Sequence, residues 1–139
     1  MITAYIDCNI LIDWIVDREP FSTYAAKIIE LTENKNIASC ISPLTIANSY
    51  YIISRQLNKN IAYEFVGDCI RLFQITDIDS EIINSAHANK HKDFEDDIHT
   101  AIAEKQKVEY IITRNKKDFK SENIIILDAE EFIKVAKTR

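Results

Sequence analysis

Apolar positions along the chain follow two alternating periods. Five short runs rich in β-branched and aromatic residues have the length and composition of strands: Ile2 to Ile6, Ile37 to Ile41, roughly Phe73 to Ile78, Val108 to Ile112 and Ile124 to Leu127. Between them the apolar residues recur at helical spacing. Ile10, Leu11, Trp14 and Ile15 make the first such stripe, and a turn at REPFS separates it from a helix over Tyr24 to Glu33. Ser42 as N-cap and Pro43 at the first helical position open a helix that runs through Leu44, Tyr50, Tyr51 and Ile53. Further helices are predicted over Ile61 to Phe73, where Gly67 is a mild weak point, and over Ser80 to Ala88. Another, capped by Asp93, covers FEDDIHTAIAEKQK, and Asn115 to Phe119 is a tight turn. A last helix spans Ala129 to Lys137.

Strands separated by helices, with each strand apolar on both faces, predict an α/β fold. It has three layers, α/β/α, around a central parallel sheet of about five strands joined by right-handed crossovers. With 139 residues the chain fits one domain, 1–139, able to bury a core without staples. Gly 1 and Pro 2 leave no stretch in which to place a linker.

The chemistry starts where the first run ends. Asp7 stands at the carboxyl end of that strand, where open parallel sheets keep their sites, with Asn9 and Asp13 close behind. A plain capping role for Asp7 at the next helix is the alternative. In the predicted topology Asp7, Ser42 and Thr113 emerge at one edge of the sheet, and the helix that begins at Asp93 brings its first turn to the same crevice. That turn, DFEDD, holds Asp93, Glu95, Asp96 and Asp97. Acids complement a helix N-terminus, but four within five residues exceed that need, and Mg²⁺ or Mn²⁺ takes oxygen ligands from carboxylates plus water.

A formal net charge of −5 speaks against nucleic-acid binding through a broad basic face, yet leaves room for a local one. Arg114, Lys116, Lys117 and Lys120 bunch in TRNKKDFK, as do Lys90 and Lys92 in NKHK. Such runs are ordinarily solvated turns. Cys8, Cys40 and Cys69 share no metal-ligand spacing and read as buried thiols, and His87, His91 and His99 as surface or packing residues. No signal segment and no apolar run of membrane-spanning length is visible, so a reducing cytoplasm is the expected location and no membrane is an expected partner.

YIDCNILID, ISPLTIAN, DFEDDIHTAIA and YIITRNKKDF come in an order and at spacings that span nearly the whole chain. In these stretches the chain resembles the PIN domains, whose best-known bacterial members are toxin ribonucleases of VapC type. The resemblance implies a metal-dependent endoribonuclease that hydrolyses RNA phosphodiester bonds with Mg²⁺ or Mn²⁺, a toxin of a type II toxin–antitoxin pair, usually dimeric, with a cognate antitoxin as partner. Carried over by position, Asp7 matches the first acid and Asn9 a polar residue that orients it. The second acid falls on Asn48, the third on Asp96 and the fourth on Asn115, with Asp118 three residues on able to take over part of the last task. Asp7 and Asp96 are then the expected metal ligands; Glu95, Asp97 or Asp118 would position the water, and Thr113 would bond a neighbouring carboxylate or phosphate. Arg114, Lys116 and Lys117 would receive the RNA backbone. Carboxamides at Asn48 and Asn115 weaken the field for a divalent ion, and they favour an alternative: a weakened or inactive PIN-like domain that binds RNA or a protein through the same crevice.

Overall fold

Five short strands supply the frame. In the computed structural model, which describes residues 1–139, β1 (Ile2–Ile6), β2 (Ile37–Ile41), β3 (Gln74–Ile75), β4 (Tyr110–Ile112) and β5 (Ile125–Leu127) form one sheet in the order β3-β2-β1-β4-β5. All four pairings are parallel. Six helices connect them, α1 (Cys8–Val16), α2 (Phe21–Glu33), α3 (Pro43–Gln56), α4 (Lys59–Leu72), α5 (Ser80–Asn89) and α6 (Phe94–Gln106), and α7 (Ala129–Thr138) follows the last strand. The chain leaves β1 toward β2 on one side and returns as β4 on the other. The sheet order therefore reverses at β1, and a crevice opens outside the carboxyl ends of β1 and β4.

Alternation along each strand sorts the core into two layers. Ile2, Ala4 and Ile6 of β1, with Tyr110 and Ile112 of β4, pack against α1, α2, α4 and α7. Tyr5 and Ile111, which point the other way, pack with Cys40 against Ile82 and Ala86 of α5 and Ile98 and Ile102 of α6. Ile6, Ile112, Tyr5 and Ile111 are all completely buried, and side chains of this kind contribute roughly 1.5–3 kcal/mol each on burial. The strand ends that carry the polar residues are thereby held between two packed layers.

Two caps fall where the sequence puts them: Ser42 Oγ accepts the Thr45 N–H at 3.1 Å ahead of Pro43, and Asp93 accepts from Glu95 and Asp96 N–H. Asp128 adds a capping box with Glu131 at α7. Several boundaries differ from the sequence reading, α4 among them, which begins at Lys59 and not Ile61. The stretch expected as a strand over Phe73 to Ile78 pairs only through Gln74 and Ile75, because it lies at the sheet edge with both residues exposed. The helix α2 begins at Phe21 and so takes in part of the predicted turn, and β4 begins at Tyr110, two residues later than Val108. Gly67 lies within an unbroken α4.

Candidate functional site

Asp7 is the centre of the crevice. It is 7% exposed, follows β1 directly and caps α1, so its place is fixed by both elements. Its Oδ1 accepts the Cys8 N–H at 2.8 Å; its Oδ2 accepts Thr113 Oγ1 at 2.7 Å and Asn9 Nδ2 at 3.1 Å. Thr113, fully buried after β4, in turn accepts the Asn115 N–H at 3.0 Å. The capping role and the orienting role are thus combined in one carboxylate.

Asp96, in the first turn of α6, faces the same space. Burial pushes its carboxyl up to about 6, with further upward contributions from Asp118, Asp93, Asp7 and Glu95 in that order. His99, one turn further along α6, is 2% exposed and contacts Tyr5 Oη through Nδ1 at 2.6 Å. Burial holds its imidazole below the ordinary value, against the pull of Asp7 and Glu95, so it stays neutral at pH 7. Burial and the neighbouring Asp7, Glu95 and Asp96 push the Cys8 thiol up to about 12, which keeps it protonated and unreactive.

Asn48 reaches this cluster from α3. Its Nδ2 donates to Glu95 Oε1 at 2.6 Å, so the carboxamide that stands in an acid's place holds an acid supplied by another helix. Asn115 is exposed, and its backbone C=O accepts the Asp118 N–H at 3.0 Å in a one-turn 3₁₀ segment, Lys116–Asp118, that turns Asp118 toward Asp96. Asp97 has a different task from its neighbours. It is 3% exposed and accepts the His91 N–H at 3.1 Å, fastening the α5–α6 connection on the other side of the helix.

The basic residues divide in the same way. Arg114 lies against Asp13 of α1, Nε to Oδ2 at 2.8 Å and Nη2 to Oδ1 at 3.1 Å, with its guanidinium carbon 4.3 Å from the centre of the Phe21 ring. Its backbone N–H donates to Asn9 Oδ1 at 3.3 Å, which links this ion pair through Asn9 to Asp7. Burial raises the Asp13 carboxyl, opposed by Arg114 and Arg18. Lys116 Nζ is 2.8 Å from Glu131 of the α7 capping box. Lys117 is exposed and outside every ion pair, beside Asp118. The clamp on Arg114 is the feature missed from sequence. Its signal was Asp13 itself, an acid set between Ile12 and Trp14 in an apolar helical stripe and completely buried.

Whether these residues suit a divalent ion follows from their donor chemistry. The set is entirely hard oxygen, Asp7, Asp96 and Asp118 with Glu95 at the rim, and the carboxylates raise the cost of charging Asp96. Asp7 Oδ1 carries one hydrogen bond and keeps a second acceptor site. No three His, Cys, Asp or Glu side chains converge tightly enough to form a cage. An ion of the Mg²⁺ class fits such a set, because it keeps several waters and needs only one or two carboxylates.

Residues 3–117 match the family model of the PIN domain. No curated protein matches the chain in sequence. Among solved structures, the DNA-bound VapBC of Salmonella typhimurium superposes with a TM-score of 0.69 at 18% identity, over 93% of this chain and 99% of that one. A toxin–antitoxin complex from Klebsiella pneumoniae gives 0.66 at 23% identity, over 88% and 95%. Mycobacterium tuberculosis VapC20, a sarcin–ricin loop cleaving toxin, gives 0.62 at 13% identity, over 78% and 86%. At these identities the likeness is one of fold.

Proposed function

The chain belongs to the PIN domain family, and from that premise we propose that it is a metal-dependent endoribonuclease, the toxin of a toxin–antitoxin pair, with Mg²⁺ or Mn²⁺ as its cofactor. The observation that carries this reading is the carboxylate cluster at the β1/β4 switch point, with Asp7 held by Thr113 and Asn9 and with Asp96 close enough to Asp7 and Asp118 for both to raise its carboxyl. Family membership and the toxin neighbours support it.

A divalent ion, when bound, stabilises charge on a phosphoryl oxygen and makes water a better nucleophile at neutral pH. Asp7 and Asp96 would hold that ion, and Asp118 completes the set where the family pattern has an acid at the place of Asn115. Thr113 and Asn9 hold the Asp7 carboxylate in one orientation. Glu95, bonded by Asn48, would accept a proton from the attacking water. Lys117 would meet the phosphate backbone beside Asp118. For the antitoxin we infer a protein that covers apolar surface, and Tyr51, Tyr63 and Ile70 on α3 and α4, each more than 60% exposed, offer it. That the named neighbours include toxin–antitoxin complexes supports this partner.

One observation favours a second reading, a domain that binds without cutting: Asn48 and Asn115 replace two acids of the family pattern. A Mn²⁺ titration separates the two. A nuclease should bind the ion saturably, lose that binding in Asp7→Asn and cleave single-stranded RNA in its presence; a binding module would hold RNA with cleavage absent at saturating ion.

A further inference from the structure

A nuclease that works on a flexible strand needs contacts beyond the scissile phosphate, and the basic residues nearest the crevice in sequence are largely spent. Arg114 is held by Asp13 and Lys116 by Glu131. On the other flank of α6 the situation is reversed. Lys90 and Lys92, in the α5–α6 connection, belong to no ion pair, and between them and the tip of α6 lies a hollow of about 370 Å³ lined by His87, Lys90, Lys92 and Phe94 together with the capping Asp93 and the buried Asp97. Phe94 is 50% exposed although it is a large apolar ring at the first position of a helix.

The loop is also built with care. The buried Asp97 carboxylate accepts the His91 N–H at 3.1 Å, and Lys90 ends α5 as a left-handed C-cap, so both ends of the connection are fixed. Beyond Lys90 a second, polar groove of about 1000 Å³ runs past His91 to Lys120, but Glu81, Asp97, Glu104 and Glu122 line it as well, so the cationic stretch is confined to Lys90 and Lys92. His91 Nε2 is buried there without a hydrogen-bond partner.

We infer that this flank is a subsite for single-stranded RNA, in which a base stacks on Phe94 and the following phosphates run over Lys92 and Lys90. An aromatic platform with cations along one side is how single strands are held without regard to sequence. Phe94 and Asp96 are two residues apart on α6 and so point to nearly opposite sides of the helix. The stacked nucleotide is therefore a flanking one, outside the bond that is cut. The subsite rests on the proposed ribonuclease function and adds a path for its substrate.

The test uses the full chain and two single-stranded RNAs, a long one and a short oligonucleotide that spans only the acid crevice. Binding of the labelled long strand is followed by fluorescence anisotropy, and both RNAs are assayed for cleavage. Phe94→Ala should weaken binding of the long strand about tenfold and raise its KM by a similar factor, with kcat retained and cleavage of the short RNA unchanged; Phe94→Trp should restore the wild-type values. Lys90→Ser with Lys92→Ser should lower the slope of log K against log salt by about 1.4, the value for two single-strand phosphate contacts. If the wild type cleaves both RNAs and these variants behave as it does, the subsite is wrong and the ribonuclease reading stands. If the wild type neither binds nor cleaves RNA, both fall together.

Discussion

Removing Arg114 separates a structural role for this residue from a substrate-binding one. Arg114→Ala leaves the Asp13 carboxylate, 0% exposed and ion-paired to Arg114 in the native protein, without its partner. A buried charge stripped of its counter-ion costs about 3–5 kcal/mol, and loss of the contact with Phe21 adds about 0.5–2 kcal/mol. For a chain of this size the total corresponds to a fall in Tm on the order of 10 °C. Asp13 in this variant would hold its proton to higher pH than in the unfolded chain. The penalty is then fully present above the folded-state pKa and shrinks as pH falls through it, so the deficit measured at pH 7 should narrow on acidification. Replacing both partners, Asp13→Leu with Arg114→Met, should restore most of the stability, because an apolar pair of similar volume needs no counter-charge. Thermal melts of the three variants between pH 5 and 8, read by circular dichroism, decide the matter. A Tm within about 3 °C of wild type for Arg114→Ala, with loss confined to RNA affinity, would show that Arg114 is a free surface cation and refute the clamp.

Three further outcomes follow from the geometry. Asp96 has its carboxyl pushed up to about 6 from 3.8, so it destabilises the metal-free fold above that pH and ceases to as pH falls toward 4; Asp96→Asn should therefore raise metal-free stability by about 1–2 kcal/mol at pH 7 and by nothing at pH 4, as chemical denaturation at the two pH values would show. Asn48→Glu places a second carboxylate within hydrogen-bond reach of Glu95, so it should lower Tm without metal and recover it with saturating Mn²⁺; a Tm indifferent to the ion would mean that position 48 does not sense the site. Gly67→Ala meets no atom within 4 Å of its new Cβ in the middle of α4, and should stabilise the protein by about 0.5–1 kcal/mol in the same melts, whereas a loss would contradict the open space.

The fold was legible because its signals were local and mutually consistent. Each long helix carries its own cap or apolar stripe, and the strand alternation of Ile6, Tyr5, Ile112 and Ile111 assigns the two core layers directly. The edge was less legible: whether Phe73 to Ile78 forms a long strand depends on a partner, and β2 offers one only to Gln74 and Ile75. At the site, the convergence of Asp7, Thr113 and Asp96 followed from strand ends and a helix start. What the sequence did not reveal was which charges are already spent on one another. Arg114 and Lys116 look alike in TRNKKDFK, and only the packing of α1 and α7 sets Asp13 and Glu131 against them. Asp96 and Asp97 are adjacent, but one helical step turns the first into the crevice and the second under the α5–α6 loop.

The most direct measurement is cleavage of an end-labelled single-stranded RNA by the purified chain, with Mg²⁺ or Mn²⁺ and with the ion removed by a chelator, alongside Asp7→Asn and Asp96→Asn shown by circular dichroism to be folded. We predict internal cuts that require the ion, stop on chelation, return when the ion is restored, and are lost by about a hundredfold or more in either variant, the scale of losing one electrostatic element of a site. Ion-independent cleavage, or cleavage at the wild-type rate in Asp96→Asn, would contradict a metal-dependent site built on Asp7 and Asp96.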